Sequence, residues 1–438
     1  MPTIDLQINA ERLQADFEAL SAIGRSTSGG VDRPALSPAH LQARSWFRQQ
    51  ALSAGLGFKL DGAGNHSALL RSADLHARTL LLGSHLDSVP DGGRYDGALG
   101  VLAALEVLRT IQEAGLHLPV HLESIDFTDE EGTLVGLLGS AALAGSLHIE
   151  QLQAPRGGRE RLLEGLQRAG LTESGLLTAQ RQPETLAGYL ELHIEQGPRL
   201  IKAGAQIGVV TGIVGLASCQ LTFTGRADHA GTTPLPDRLD AAQGAASFIV
   251  HARQLVMQDF PGCVANTGWL RFEPGAFNIV PAVARLGLEY RAAGAPAFEC
   301  LGQALLALAE QEAARLGLGL EVQPLGSHQP APMDSHVQAA IRQSAEALGL
   351  SHLSLPSGAG HDAQMLAAVC PAGMIFIPSQ GGASHSPREY SEWQDCVNGA
   401  NVLLQTTLRM INKGNDVDVP GIGGLWRELQ RERGGLQD

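Results

Sequence analysis

The chain has 438 residues, of which 44% are hydrophobic, 53 are glycine and only 4% are aromatic. That is enough for two domains with a large core, and it fits an α/β enzyme without stacking platforms for nucleic acid. With 31 basic against 45 acidic residues, a net charge of −14, and lysine only at Lys59, Lys202 and Lys413, nucleic acid is excluded as a partner, and an anionic small substrate needs a locally placed arginine.

The opening MPTIDLQINAERL puts acidic and polar residues where a signal peptide needs a basic and then an apolar run. No apolar stretch reaches about 18 residues, so no membrane partner and a cytoplasmic location are expected. Asn9 is placed to cap a helix carrying Leu13, Phe17 and Leu20 at helical spacing. Ser37-Pro38 sets a cap and an N1 proline before a second helix with Leu41, Trp46 and Phe47.

Strand-like runs near 66–70 and 79–84 then lead into LLGSHLDSVPDGGRYDGALG, residues 81–100. His85 and Asp87 fall at a strand end, where open α/β sheets place their chemistry. In His-x-Asp the imidazole can ligate a metal through one nitrogen while the second carboxylate receives its other N–H. Asp96, across the loop, offers a carboxylate able to bridge two metals. Taken alone, Asp87, Asp91 and Asp96 are also what a turn rich in glycine and proline carries.

A helix from 97 to 114 and a strand from Val120 to Phe127 give βαβ order, and therefore a mixed or parallel sheet. That strand delivers DFTDEEGT, where Asp129, Glu130 and Glu131 repel one another unless they form a solvated turn or a metal holds them, leaving one carboxylate free as a base. Residues 150–185 read as polar surface helices without identifiable chemistry. From Tyr189 to Gly197, alternation sets Leu190, Leu192 and Ile194 on one face and Glu191, His193 and Glu195 on a polar one. A histidine between two glutamates is a plausible ligand or a structural His–Glu pair.

At TGIVG, 211–215, the pattern changes. A strand from Ser218 to Thr224, a helix from Arg238 to Met257, strands at 267–272 and 284–291, a helix from Ala297 to Leu316 and a strand at 318–323 follow β-α-β-β-α-β order. Residues 213–328 are read as an inserted α+β, ferredoxin-like domain whose entry glycines suit a hinge. The remainder, 1–212 and 329–438, forms an α/β catalytic domain with a mixed sheet flanked by helices. It includes a helix at 334–348, loops carrying His361 and His385, a buried strand at 372–378, a final helix near 398–412 and a peripheral tail. Five scattered cysteines without a C-x-x-C pair are expected to be reduced and buried.

Together His85, Asp96, Glu131, His193 and His385 supply five N/O ligands, a set suited to two divalent ions bridged by one carboxylate, and Glu130 stays free. The motifs GSHLDSVPDGGRYDG, FTDEEG, ELHIEQGP, GRADHAGTTP, SGAGHDA and IFIPSQGGASHSPREYS closely resemble the M20-type amidohydrolases of the hydantoinase/carbamoylase branch. These are the N-carbamoyl-L-amino-acid hydrolases, β-ureidopropionases and allantoate amidohydrolases. The likeness spans roughly residues 5–412.

The resemblance implies that His85 and His193 hold one metal, Glu131 and His385 the other, and Asp96 bridges them, the ions being zinc, or manganese, cobalt or nickel. Glu130 would be the general base, taking a proton from a water whose pKa the metal pair lowers, and hydrolysing the ureido C–N bond of an N-carbamoyl amino acid to the amino acid, ammonia and carbon dioxide. In related peptidases and acylases the His193 position holds a carboxylate and the His-x-Asp to Asp gap is longer, so the carbamoyl branch fits better. The second domain resembles that family's dimerisation lid, in which His229, reaching the partner's site in a homodimer, stabilises the oxyanion and Asn278 and Arg291 meet a small anionic ureido substrate. Gln196 and the Gly360 backbone match further pocket positions. Without the resemblance Arg291 reads as a surface strand arginine.

The sequence departs from the pattern at Thr133–Val135, where Arg-Phe commonly follows EEG, at Leu235 for the usual methionine, at Tyr290, and at PGAFNIVP. These departures bear on substrate choice. Allantoate or a β-ureido acid are rival substrates on the same site. A dipeptidase or deacylase, or a non-catalytic metal-binding protein, are more distant readings.

Overall fold

A computed structural model describes residues 6–413; the tail at 417–438 lies outside them. The first two helices, Ala10–Ser21 and Pro38–Ser53, start where their caps put them, Asn9 accepting from the Arg12 N–H and Ser37 from the His40 N–H. Leu13, Phe17, Leu20 and Phe47 are buried, each worth about 1.5–3 kcal/mol relative to exposure.

The main sheet contains β1 (Gly57–Leu60), β2 (His66–Leu70), β3 (Thr79–His85), β4 (His121–Phe127), β5 (Leu186–Ile194) and β6 (Ile207–Ile213). A second sheet follows with β7 (Gly215–Thr224), β8 (Val264–Glu273), β9 (Val283–Ala292) and β10 (Gly319–His328), before β11 (Ala331–Pro332), β12 (His352–Ser357) and β13 (Ala372–Ile377) return to the first. The order in the main sheet is β1-β2-β4-β3-β5-β13-β6-β11, with β12 also paired to β6. Its centre, β4-β3-β5-β13, is parallel, in register from Leu82 beside Ser124 and Leu190 to His193 beside Phe376. Four strands therefore release their chains at one edge, where an open α/β sheet gathers a site.

Helices cover both faces of this sheet. One core joins Leu80, Leu82, Leu190, Leu192 and Ile194 to the helices Ala98–Glu113 and Trp393–Lys413, and another joins Leu81, Phe127, Tyr189 and Phe376 on the opposite face. The alternation along β5 is real, but its polar side is not exposed. Glu191 and His193 are buried, because a central parallel strand is covered on both faces.

The second sheet is antiparallel in the order β10-β7-β9-β8. The helices Ala241–Asp259 and Ala295–Arg315 lie on one face of it over a separate core of Leu221, Phe223, Phe248, Leu286 and Leu301. This is the ferredoxin-like α+β arrangement beside the mixed α/β sheet. Among the described residues no helix is long and apolar enough to cross a membrane. All five cysteines are free, but only Cys219 and Cys396 are buried and Cys300 is exposed, correcting the expectation that all five are buried.

Candidate metal centre

His85 ends β3, and its Nδ1 donates to the Asp87 carbonyl at 3.0 Å. A carbonyl only accepts, so Nδ1 carries a proton and Nε2 is the nitrogen that faces the site. That Nε2 is buried and without a hydrogen-bond partner, 3.5 Å from both Asp96 Oδ1 and Glu130 Oε2, too far for a good hydrogen bond. His193 repeats the device, with Nδ1 donating to the Ile194 carbonyl at 2.8 Å and Nε2 lying 3.0 Å from Asp96 Oδ1. Gly97, at φ 62°, is needed here, since a Cβ would fall 2.4 Å from the His85 ring.

The other oxygen of Asp96 looks the opposite way. Oδ2 lies 3.6 Å from His385 Nε2, which is 3.2 Å from Glu131 Oε2. Ligand atoms of His85, Asp96 and His193 lie within 4.8 Å of one another, as do those of Asp96, Glu131 and His385, and Asp96 is common to both groups. Burial would lower the pKa of both His85 and His193, but Glu130 and Asp96 beside the first and Asp96 beside the second raise them. The carboxylates call for positive charge at this point, and imidazole with carboxylate is a donor set for divalent transition ions. The orphaned Nε2 of His85 makes the fit specific.

Electrostatics agree. Burial would raise Asp96, but His193 and His85 hold it well below the usual carboxylate range. Burial pushes Glu130 well above it; His85 opposes this, while Asp362, Glu131 and Asp96 add to it. Glu130 belongs to neither ligand group. The backbone carries strain at this site, with Asp129, Gln196 and His385 at φ 56°, 56° and 53°, each costing about 1–3 kcal/mol that the surrounding contacts must offset.

The model of peptidase family M20/M25/M40 matches residues 81–409. The chain belongs to that family. Such enzymes are metal-dependent hydrolases, and this M20 chain is 37% identical over 405 residues to an N-carbamoyl-L-amino acid amidohydrolase of Geobacillus stearothermophilus, covering 92% of this chain and 99% of that one. It is 32% identical to an allantoate amidohydrolase of Bacillus subtilis over 90% of this chain and 96% of that one. Among solved structures, a hydantoinase/carbamoylase family amidase of Burkholderia multivorans superposes with a TM-score of 0.84 at 32% identity, covering 93% and 98% of the two chains.

In this M20 chain Asp87 works differently from the sequence expectation. Its carboxylate is 3.8 Å from His85 Nδ1 and instead accepts the backbone N–H groups of Glu130 and Glu131, both at 3.3 Å. It orients His85 through its carbonyl and pins the loop that carries Glu130 and Glu131 through its side chain. Asp129 is structural as well, accepting the N–H groups of Leu134, Val135 and Gly136.

The cleft over the centre, about 280 Å³, is lined by Asp96, Glu130, Glu131, His193, Gln196 and His385, and also by Arg291 and Gly360. Gln196 Nε2 donates to Asp96 Oδ2 at 2.7 Å. Arg291 donates to the Gly358 carbonyl at 2.7 Å and pairs with Glu289 at 2.8 Å. His229 and Asn278 do not line this cleft. They sit side by side, the Ala230 N–H donating to the Asn278 carbonyl at 3.0 Å, and both are exposed. Of the departures, Leu134 and Val135 are buried in a satellite core and Leu235 is exposed.

Three residues escape the sequence reading. Glu389 Oε1 accepts the N–H groups of Tyr95 and Asp96 at 2.8 and 3.0 Å, and Ser384 Oγ donates to Asp96 Oδ2 at 2.8 Å. Arg156 lines the cleft, from within the stretch read as surface helices without chemistry. Only the SHSPREY motif carried a signal for the first two, and nothing in it tells that Glu389 is buried.

Proposed function

We propose that the chain hydrolyses the ureido C–N bond of N-carbamoyl-L-amino acids, giving the L-amino acid, ammonia and carbon dioxide. The observation that carries this reading is a carboxylate, Glu130, whose side chain is only 9% exposed and faces two ligand triplets that share Asp96, together with the name of the Geobacillus relative. His85, His193 and Asp96 would hold one divalent ion, and Glu131, His385 and the same Asp96 a second, zinc being the first expectation and manganese, cobalt or nickel alternatives. When bound, the ions would polarise the ureido carbonyl and make a water more acidic.

Glu130 accepts the water's proton at Oε2 and returns it to the leaving nitrogen. Its raised pKa suits a group that takes and gives back a proton. Gln196, now donating to Asp96, has its Oε1 buried and unpartnered, free to accept from a ureido N–H. Arg291 offers a planar fork to the substrate carboxylate in exchange for Glu289, and Gly360 contributes backbone at the cleft wall.

Residues 213–328 act as a lid on the catalytic body of 1–212 and 329–438, and join a second copy. Trp269, Leu270, Phe272 and Phe277 are exposed, three of them on edge strand β8. An open edge with an apolar patch is a surface for pairing. His229 and Asn278, outside their own cleft, would then serve the partner's. A cytoplasmic location is in keeping with five unpaired cysteines.

The test is ammonia release after metal reconstitution from a panel of N-carbamoyl-L-amino acids, N-carbamoyl-β-alanine and allantoate, beside N-acetyl amino acids and dipeptides. Faster turnover of the last two classes would sink the ureido reading. Faster turnover of allantoate would move the substrate but keep the chemistry, a second reading that the Bacillus relative's name favours.

A further inference from the structure

The cleft holds two guanidinium groups, and one of them is unused. Arg291 comes from β9 of the second sheet and is already engaged by Glu289 and the Gly358 carbonyl. Arg156 comes from the other side, in the connection between the helices Ile149–Gln153 and Arg159–Ala169. Among the described residues it forms no ion pair and donates no side-chain hydrogen bond, although its side chain is exposed and lines the same cleft as the metal ligands.

Its position is fixed from below rather than by a salt bridge. The Gly157 N–H donates to the Leu134 carbonyl at 3.2 Å, tying this turn to the loop that Asp129 pins and that carries Glu130 and Glu131. The guanidinium lies against Gly132, where a Cβ would come within 2.8 Å of Nη1. His328, at the end of β10, lines the same cleft, and burial and then Arg156 lower its pKa. The free cation therefore stands at the seam of the two sheets, beside the base-bearing loop.

Gly132 is held at φ 72°, which itself favours glycine, and it leaves the guanidinium room in the cleft wall. A substrate with one carboxylate occupies one fork, and a second fork in the same cleft asks for a second anion. We propose that Arg156 is a specificity-determining residue that receives a side-chain carboxylate, so that N-carbamoyl amino diacids of the aspartate or glutamate type are the preferred substrate class. This rests on the ureido-hydrolase reading for the reaction, but not for the charge it assigns to the ligand.

The experiment compares N-carbamoyl-L-aspartate and N-carbamoyl-L-glutamate with their side-chain amides, N-carbamoyl-L-asparagine and N-carbamoyl-L-glutamine, on the metal-loaded full-length protein. A charge-assisted contact of this kind corresponds to roughly 10- to 100-fold in kcat/KM, and the wild type should prefer each diacid over its amide by that factor. In Arg156→Gln the ratio should fall to about one, and Arg156→Lys should keep part of it. Calorimetric binding of the same ligands to metal-loaded Glu130→Gln protein, with and without Arg156→Gln, reads the preference without turnover. Equal kcat/KM for diacid and amide in the wild type, or a ratio that survives Arg156→Gln, overturns the assignment. Diacid binding that depends on Arg156 while no ureido compound is hydrolysed would overturn the reaction and leave the assignment standing.

Discussion

Glu130 and Glu131 are adjacent, with side chains 9% and 5% exposed, yet they face different groups: Glu131 Oε2 meets His385 at 3.2 Å while Glu130 Oε2 stands 3.5 Å from His85, outside the triplets that share Asp96. Glu130→Gln keeps the shape and, in the proposed mechanism, removes only the proton acceptor. Metal content should stay at the wild-type level while turnover falls about 10²- to 10⁴-fold; wild-type turnover at full occupancy would remove Glu130 from the mechanism. A second single-residue prediction concerns His40, whose buried Nδ1 accepts the Leu36 N–H at 2.9 Å and so must stay unprotonated. Burial, then Arg44 and Arg33, hold its pKa well below the ordinary value of 6.5. The unfolded chain binds a proton near 6.5 and the folded chain does not, so the stability His40 contributes is complete above that pH. It is lost below it by about 1.4 kcal/mol per pH unit. In metal-free protein the urea midpoint should fall from pH 7.5 to 5.5, and His40→Gln, which offers an acceptor without titrating, should fall less steeply. Parallel curves for the two proteins would rule this out.

At the scale of elements, the loop after β13 supports the loop after β3. Glu389 receives the Tyr95 and Asp96 N–H groups, and the single Ser384 hydroxyl proton lies between Asp96 Oδ2 at 2.8 Å and Glu389 Oε2 at 2.9 Å. Outer partners of this kind typically affect metal affinity 10- to 100-fold. Glu389→Ala should therefore weaken metal binding by about that factor in a competition titration with a chelator, and an unchanged affinity would show that the Asp96 loop holds itself. This support was not legible in the sequence, because it joins residues 293 positions apart and a glutamate in a polar motif reads as exposed. What was legible had local causes: the capped helices at Asn9 and Ser37, the apolar runs of β3 and β4, and a βαββαβ order that needs only periodicity. Short strands such as β1 and β12 have no such run to announce them. On β5 the alternation assigned sides correctly, but only the sheet order decides that both are buried. His85, Asp96, Glu131, His193 and His385 could be picked out as donors at strand and loop ends, whereas Arg156 stands in a segment with no apolar or ligand pattern.

At the scale of the whole molecule, the position of His229 raises a problem that one chain does not solve. It is exposed beside Asn278 and absent from the lining of its own cleft, while Phe277 on the same loop is fully exposed and β8 leaves a sheet edge open. An apolar residue that protruding, next to two polar residues without a task, fits a surface completed by a second copy, with His229 and Asn278 entering the partner's cleft. A closed two-fold pair makes the contribution reciprocal. Two inactive chains should then rescue each other, because His229→Ala retains its metal site and Glu130→Gln retains His229. In a mixed dimer one site combines both intact parts and the other combines both defects, so activity should return to about one working site in two by that symmetry. The mixed dimers are made by co-refolding chains with different tags and isolating the doubly tagged species. If the isolated heterodimer is as inactive as either parent, or the wild-type protein is monomeric and fully active at assay concentration, each cleft works alone and His229 has no part in its neighbour's chemistry.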